Sequence, residues 1–126
     1  MSAPVTNAVL VIDDDPDFRA LLAALIDGLG LTAIVAADCL DAVEILQRER
    51  GRVFAILVDY TMPKLGPREC FAALRIAASP SVRLILCTAA VDPAGRASEV
   101  GATEVLAKPF EYADLERLLC QRTRSP

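Results

Sequence analysis

Five short apolar runs alternate along this chain with segments whose apolar residues recur at helical spacing, and this alternation constrains the fold more than any other feature. The apolar runs cover residues 8–12, 31–36, 53–58, 82–87 and 103–107. The run at 53–58 is apolar at every position, which is typical of a strand buried on both faces of a parallel sheet. The alternation therefore predicts an α/β sandwich of three layers around a five-stranded parallel sheet with five helices.

The first helical segment carries the clearest signals for its start and its buried face. Asp15 is suited to an N-cap, and Pro16 is suited to the first helical position. Apolar residues then recur three and four positions apart, which predicts one buried face. The members of this face are Phe18, Leu21, Leu22, Leu25, Ile26 and Leu29.

Four further helices are predicted over residues 39–50, 68–78, 92–101 and 110–122. Asp38 is suited to cap the first of these, and we expect Leu40, Val43 and Leu46 to face inward from it. The segment 92–101 is short and contains Gly95, so we expect a marginal helix there. In the last helix, the expected core residues are Leu115, Leu118 and Leu119.

The composition excludes several classes of function. The chain has no His, which removes His-based acid–base catalysis and most zinc sites. A net charge of −4 argues against direct nucleic-acid binding. The longest interior uncharged stretch, residues 28–37, is too short to span a membrane, and no basic segment precedes the first apolar run. We expect one domain over residues 1–126, with a core at about 8–122 and loose tails.

Four cysteines are spread along the chain without the Cys-x-x-Cys spacing of a metal site. They are Cys39, Cys70, Cys87 and Cys120. We interpret them as four buried thiols in a protein of the reducing cytoplasm.

Polar side chains follow four of the predicted strands. Asp13 and Asp14 follow the first strand, Asp59 the third, Thr88 the fourth and Lys108 the fifth. In an open α/β sheet, ligands bind beyond the carboxyl ends of the strands, where the strand order reverses. If the order is 2-1-3-4-5, the first and third strands are neighbours, and the three carboxylates converge.

Three converging carboxylates raise one another's pKa unless a cation lies among them, and one lysine does not balance three acids. Carboxylate oxygens suit Mg²⁺. A metal, a carboxylate nucleophile, a lysine and a hydroxyl are together the parts needed for phosphoryl transfer to an aspartate. The residue pattern therefore predicts a magnesium-dependent phosphorylation site.

Four segments resemble the signature of two-component response regulator receiver domains, in order and each at a strand end. They read VLVIDDDP at residues 9–16, LVDYTMP at 57–63, LCTAA at 86–90 and KPF at 108–110. Each segment is weak alone, but four in order are a specific signal. The resemblance covers about residues 8 to 120 and implies a flavodoxin-like doubly wound fold with strand order 2-1-3-4-5.

The resemblance implies a role for each residue of the acidic site. Asp59 would accept the phosphoryl group. Asp13 and Asp14 would hold Mg²⁺, together with Asp59 and the backbone carbonyl of Thr61.

The resemblance also implies residues that bind the phosphoryl group, and partners that supply it. Lys108 would bind the phosphoryl group, Thr88 would move toward it, and Pro109 would follow a cis peptide bond. The donor would be a phosphohistidine on a sensor histidine kinase or phosphotransfer protein, and the downstream effector is not identified. The chain would be a cytoplasmic signalling module rather than an enzyme, catalysing only its own phosphorylation and dephosphorylation, without direct contact to nucleic acid or membrane.

The sequence departs from the family at positions outside the acidic site. Val105 lies three residues before Lys108, where the family has an aromatic residue, and residues 65–67 read LGP where the family commonly has Met-Asp-Gly. These departures leave open a second hypothesis, a pseudo-receiver that binds a protein without switching.

A third hypothesis is a Mg²⁺-dependent phosphatase with an aspartate nucleophile. Asp13 and Asp15 match the acids of the haloacid-dehalogenase pattern. Pro16 and Asp17 leave no Thr or Val where that pattern requires one, so we rank this hypothesis last.

Overall fold

Strands and helices alternate throughout the computed structural model, which describes residues 6–60, 65–89 and 92–120. In these ranges the strands are β1 (Ala8–Ile12), β2 (Thr32–Ala36), β3 (Val53–Asp59), β4 (Arg83–Thr88) and β5 (Glu104–Ala107). The helices are α1 (Pro16–Gly28), α2 (Cys39–Glu49), α3 (Pro67–Ala77), α4 (Pro93–Val100) and α5 (Tyr112–Cys120). Each element lies within a few residues of its predicted position.

All five strands are parallel and lie in the order β2-β1-β3-β4-β5. This confirms the predicted doubly wound fold and its strand order. Ile12 of β1 pairs with Val58 of β3, so the residues that follow them, Asp13 and Asp59, lie level at the same edge of the sheet. The strand order thus brings these two aspartates together.

The sheet separates two apolar cores because alternate residues of each strand point to opposite faces. Leu10 and Ile12 of β1 pack with the buried residues of α2, α3 and α4. Val9 and Val11 pack on the other face, with the buried residues of α1 and α5. No helix within the described ranges combines the length and apolar character that membrane crossing requires.

Helix α1 begins as predicted. The Asp15 side chain accepts hydrogen bonds from the backbone N–H groups of Asp17 and Phe18, at 3.0 and 3.4 Å, and Pro16 opens the first turn. Leu22 and Ile26 are fully buried against the sheet. Leu21 is 53% exposed, so its predicted inward orientation is wrong. It lies at the edge of the apolar stripe, where it lines a surface cleft instead of the core.

Helix α2 buries a different face from the one that the sequence predicts. Leu40 is 53% exposed, which contradicts its expected inward position, whereas Leu46 is fully buried. The buried face of α2 contains Cys39, Ala42 and Ile45 as well. Residues 39, 42 and 46 recur at helical spacing and define this buried face, which leaves Leu40 on the exposed side of the helix.

The short helix predicted before the last strand is present as α4. Asp92 caps it, accepting a hydrogen bond from the backbone N–H of Gly95 at 3.1 Å. Gly101 ends it with a φ of 81°, a left-handed conformation that favours glycine. Local capping therefore fixes both ends of α4, although the segment has few large apolar residues to bury.

The expectation of four buried thiols is wrong. Cys39 and Cys70 form a disulfide between the first turns of α2 and α3, with Cα atoms 5.8 Å apart. Cys120 is exposed, whereas Cys87 is a buried thiol as expected. The pairing depends on α2 and α3 lying side by side on one face of the sheet, which no local sequence signal reveals.

Candidate functional site

Three carboxylates converge beyond the carboxyl ends of β1 and β3, as the strand order requires. Oxygen atoms of Asp13, Asp14 and Asp59 lie within 4.8 Å of one another. Asp13 is buried, Asp59 is partly buried at the end of β3, and Asp14 is exposed at the mouth of the site. The cluster is therefore buried on the side of Asp13 and open to water on the side of Asp14.

Backbone hydrogen bonds fix the position of Asp13. Its Oδ1 accepts a hydrogen bond from the backbone N–H of Asp15 at 2.9 Å. Its own N–H donates to the carbonyl of Ala36 on β2 at 3.3 Å. The Arg19 side chain donates to the Asp13 carbonyl at 2.7 Å. These hydrogen bonds, from the end of β1 to β2, to the cap of α1 and to its first turns, thus fix both the backbone and the carboxylate of Asp13.

Lys108 brings a positive charge into the cluster from the end of β5. Its Nζ lies 3.4 Å from Asp59 Oδ1 and 3.6 Å from Asp13 Oδ2. The Lys108 backbone N–H donates to the carbonyl of Thr88 at 2.8 Å, which ties this residue to β4. The peptide bond between Lys108 and Pro109 is cis, as expected.

Thr88 is the last residue of β4 and is only 4% exposed. Its predecessor Cys87 pairs with Asp59, so Thr88 lies at the same sheet edge as the carboxylates. Burial raises the pKa of the Cys87 thiol to about 12, so this neighbour stays protonated. The remaining predicted ligand, Thr61, lies outside the described residues.

The electrostatics of the site disfavour the ionised form of Asp59. Burial raises the pKa of Asp59; Lys108 opposes this shift, and Asp13 and Asp14 add to it. Burial by itself lowers the pKa of Lys108, but the negative charges around it, Asp59 foremost, outweigh burial and raise that pKa overall. Lys108 is therefore a fixed cation, and the acids still carry an excess of negative charge.

This excess makes the cluster suited to a divalent cation. The donor atoms are carboxylate oxygens, which Mg²⁺ prefers, and their spacing allows one ion to contact all three residues. The exposed position of Asp14 leaves the open side accessible to the water ligands that Mg²⁺ retains. The residues present thus fit the predicted metal.

Two contacts near the site escaped the sequence predictions. The sequence places Phe18 in the core, and the centroid of its ring lies 4.3 Å from Lys108 Nζ. Tyr60 donates a hydrogen bond from its hydroxyl to Glu99 of α4 at 2.9 Å, and Arg96 stacks on its ring. Tyr60 directly follows Asp59 in the sequence, and this adjacency is the one signal that pointed to it.

The sequence matches the family model described as "Response regulator receiver domain" over residues 9–119. The transcriptional regulatory protein PrrA of Mycobacterium tuberculosis is 36% identical over 118 residues, an alignment that covers 91% of this chain and 49% of PrrA. The chain spans about half the length of the first curated relatives it matches.

Solved receiver structures are similar to this one over nearly their whole length. The chemotaxis response regulator CheY4 of Vibrio cholerae has a TM-score of 0.81 at 26% identity, covering 94% of this chain and 99% of CheY4. The receiver domain of the sensor histidine kinase PA1611 of Pseudomonas aeruginosa has a TM-score of 0.78 at 30% identity, covering 94% and 97%. That structure has a magnesium ion coordinated in its active-site cleft.

Proposed function

This chain belongs to the response regulator receiver domain family of two-component signalling, and we propose that Asp59 is its phosphoryl acceptor. The observation that carries the proposal is the contact of 3.4 Å between Lys108 Nζ and Asp59 Oδ1 within the cluster of three carboxylates. The proposed nucleophile, a cation and two further acids suited to a metal thus lie together at one edge of the sheet, which supports the proposal.

The proposed transfer moves one phosphoryl group from nitrogen to oxygen. A carboxylate oxygen of Asp59 attacks the phosphorus atom of a phosphohistidine, the N–P bond breaks, and its electron pair returns to the imidazole of the donor. Lys108 would donate hydrogen bonds to an oxygen of the transferring group, and the Thr88 hydroxyl, at the same edge of the sheet, would bind a second oxygen.

Asp13, Asp14 and Asp59 would hold Mg²⁺, with the backbone carbonyl of Thr61 as a further ligand. The ion, when bound, neutralises charge on the transferring oxygens and on the acids around them. Asp13 is fixed by its backbone hydrogen bonds, so its role is to hold the metal rather than to react. Asp59 is the carboxylate that touches Lys108 most closely, and this contact favours it as the acceptor.

The family has a regulatory role, and the finer assignments are proposals for this chain. A sensor histidine kinase or phosphotransfer protein would donate the phosphoryl group, and a separate effector would read the phosphorylated state. The chain would catalyse only its own phosphorylation and dephosphorylation, in the cytoplasm. Its net charge of −4 supports an output through protein contacts rather than direct nucleic-acid or membrane binding.

Incubation with acetyl phosphate and Mg²⁺, followed by mass spectrometry, tests the acceptor. We expect one added phosphoryl group on Asp59. It should not form when EDTA replaces Mg²⁺, nor in the Asp59→Asn variant. Asp41→Asn, an exposed carboxylate in the first turn of α2, is the matched control and should be modified like the wild type.

Failure of the wild type to gain a phosphoryl group, with Asp59→Asn behaving identically, would overturn the proposal and leave the non-switching binding module. Multiple turnover of a phosphomonoester would instead favour the phosphatase hypothesis.

A further inference from the structure

The Lys108 ammonium contacts an aromatic ring as well as two carboxylates. Its Nζ lies 4.3 Å from the centroid of the Phe18 ring, while the same atom is 3.4 Å from Asp59 Oδ1. A cation over an aromatic face is attracted by the negative charge density of the ring, more strongly where water is excluded. The Lys108 side chain is only 25% exposed, so the ring forms one wall of its surroundings.

The Phe18 ring is itself held from two directions. The backbone N–H of Phe18 donates to Asp15 Oδ1 as part of the cap of α1, and this fixes the point at which the Phe18 side chain leaves the helix. Phe110, two residues beyond Lys108, meets the ring edge to face, with centroids 6.1 Å apart and planes at 73°. The ring thus connects α1 to the segment that carries Lys108.

We propose that Phe18 is a positioning residue that holds the Lys108 ammonium where an oxygen of the incoming phosphoryl group arrives. This inference rests on the proposed phosphoryl transfer to Asp59. A lysine side chain is long and flexible, and ordering it before the ligand binds removes an entropic cost from binding. The ring face attracts the ammonium without forming strong hydrogen bonds, so the N–H donors stay directed toward Asp59 and the transferring oxygen.

Two substitutions separate this role from simple packing. Phe18→Leu keeps apolar bulk and removes the aromatic face, whereas Phe18→Tyr keeps both. In the metal-free wild type, the ring current of Phe18 should shift the proton signals of the Lys108 methylene next to Nζ upfield in NMR spectra. Phe18→Tyr should retain this shift, and Phe18→Leu should abolish it. A Lys108 signal at its ordinary position in the wild type would refute the contact.

Ligand affinities supply the second measurement, with beryllofluoride as the mimic of a phosphoryl group. Lys108 contacts the oxyanion but does not bind the metal, so Phe18→Leu should weaken beryllofluoride binding while Mg²⁺ affinity is unchanged. We expect a loss of about three- to tenfold, the size of a partly desolvated cation–π contact. Phe18→Tyr should restore wild-type affinity. Fluorine NMR reports beryllofluoride, and calorimetry reports Mg²⁺.

A parallel loss of Mg²⁺ affinity in Phe18→Leu would show a displaced α1 and overturn the positioning role, as would unchanged beryllofluoride affinity. The Lys108→Met background provides a cycle, because Phe18→Leu should have no further effect once the ammonium is gone. If the wild type binds no beryllofluoride, the phosphoryl-transfer proposal fails, and the ring-current measurement still decides whether Phe18 holds Lys108.

Discussion

Replacement of Asp59 by Asn is expected to stabilise the metal-free protein and to remove most of its stabilisation by Mg²⁺. The substitution keeps the shape of the side chain and removes one of three converging negative charges. Burial raises the pKa of Asp59 above its ordinary value of 3.8, so the ionised carboxylate destabilises the folded state at neutral pH. The amide has no charge to bury and no charge for the metal to bind.

The distances in the site set the size of this effect. Carboxylate oxygens lie within 4.8 Å of one another, so at an effective dielectric constant of about 20 each neighbour repels Asp59 by about 3.5 kcal/mol. Lys108, 3.4 Å away, attracts it by about 5 kcal/mol on the same basis. The net repulsion is about 2 kcal/mol before screening at the exposed Asp14 reduces it, and burial of the carboxylate, the largest cause of its raised pKa, adds to what remains, for a total of roughly 1–2 kcal/mol.

Urea denaturation followed by circular dichroism measures this difference with EDTA and with Mg²⁺. In EDTA the variant should be more stable by about 1–2 kcal/mol at neutral pH. The difference should vanish as the pH falls below 3.8, where Asp59 is protonated in the folded and unfolded wild type alike. With Mg²⁺ at a hundred times its dissociation constant, the wild type should gain about 2.7 kcal/mol, and the variant much less.

The matched control is Asp17→Asn, an exposed carboxylate in the first turn of α1 that lies outside the cluster. It should change stability by less than about 0.5 kcal/mol. The reasoning is refuted if Asp59→Asn is less stable than the wild type in EDTA, or if Mg²⁺ stabilises both proteins equally.

Three further predictions concern the elements around the site. The disulfide closes a loop of 31 residues. Its reduction, or its removal by Cys39→Ala with Cys70→Ala, should lower the free energy of unfolding by about 3–4 kcal/mol. An unchanged urea midpoint would contradict the disulfide. Asp15→Ala removes the cap of α1 and should cost about 1 kcal/mol in the same assay, whereas no loss would show that the cap contributes nothing. Iodoacetamide should label the exposed Cys120 of the folded protein and spare Cys87, whose pKa is about 12; equal labelling would contradict the burial of Cys87.

The elements and the acidic site were predictable because their signals are local. Asp15 and Pro16 define the start of α1, and Asp92 and Gly101 define both ends of α4. Each polar site residue directly follows a strand, so the alternation of elements was enough to bring Asp13 and Asp59 to one edge once the strand order was assumed.

The errors arose where the outcome depends on how elements pack. The apolar spacing of α1 and α2 includes Leu21 and Leu40, but each helix buries only the stripe that meets its neighbours. The disulfide requires α2 and α3 to be adjacent, and the contact of Phe18 with Lys108 requires α1 to lie beside the end of β5. These are three-dimensional relations between residues distant in sequence, which periodicity and spacing do not encode.

Direct observation of the metal tests the central claim, that Asp13, Asp14 and Asp59 bind one divalent cation. Crystals grown with Mn²⁺ in place of Mg²⁺ would locate the ion by its anomalous scattering. The account predicts a single ion at this sheet edge, contacted by oxygens of all three carboxylates and lost in the Asp59→Asn variant. An ion bound elsewhere, or carboxylates that turn apart and leave no space for one, would contradict it.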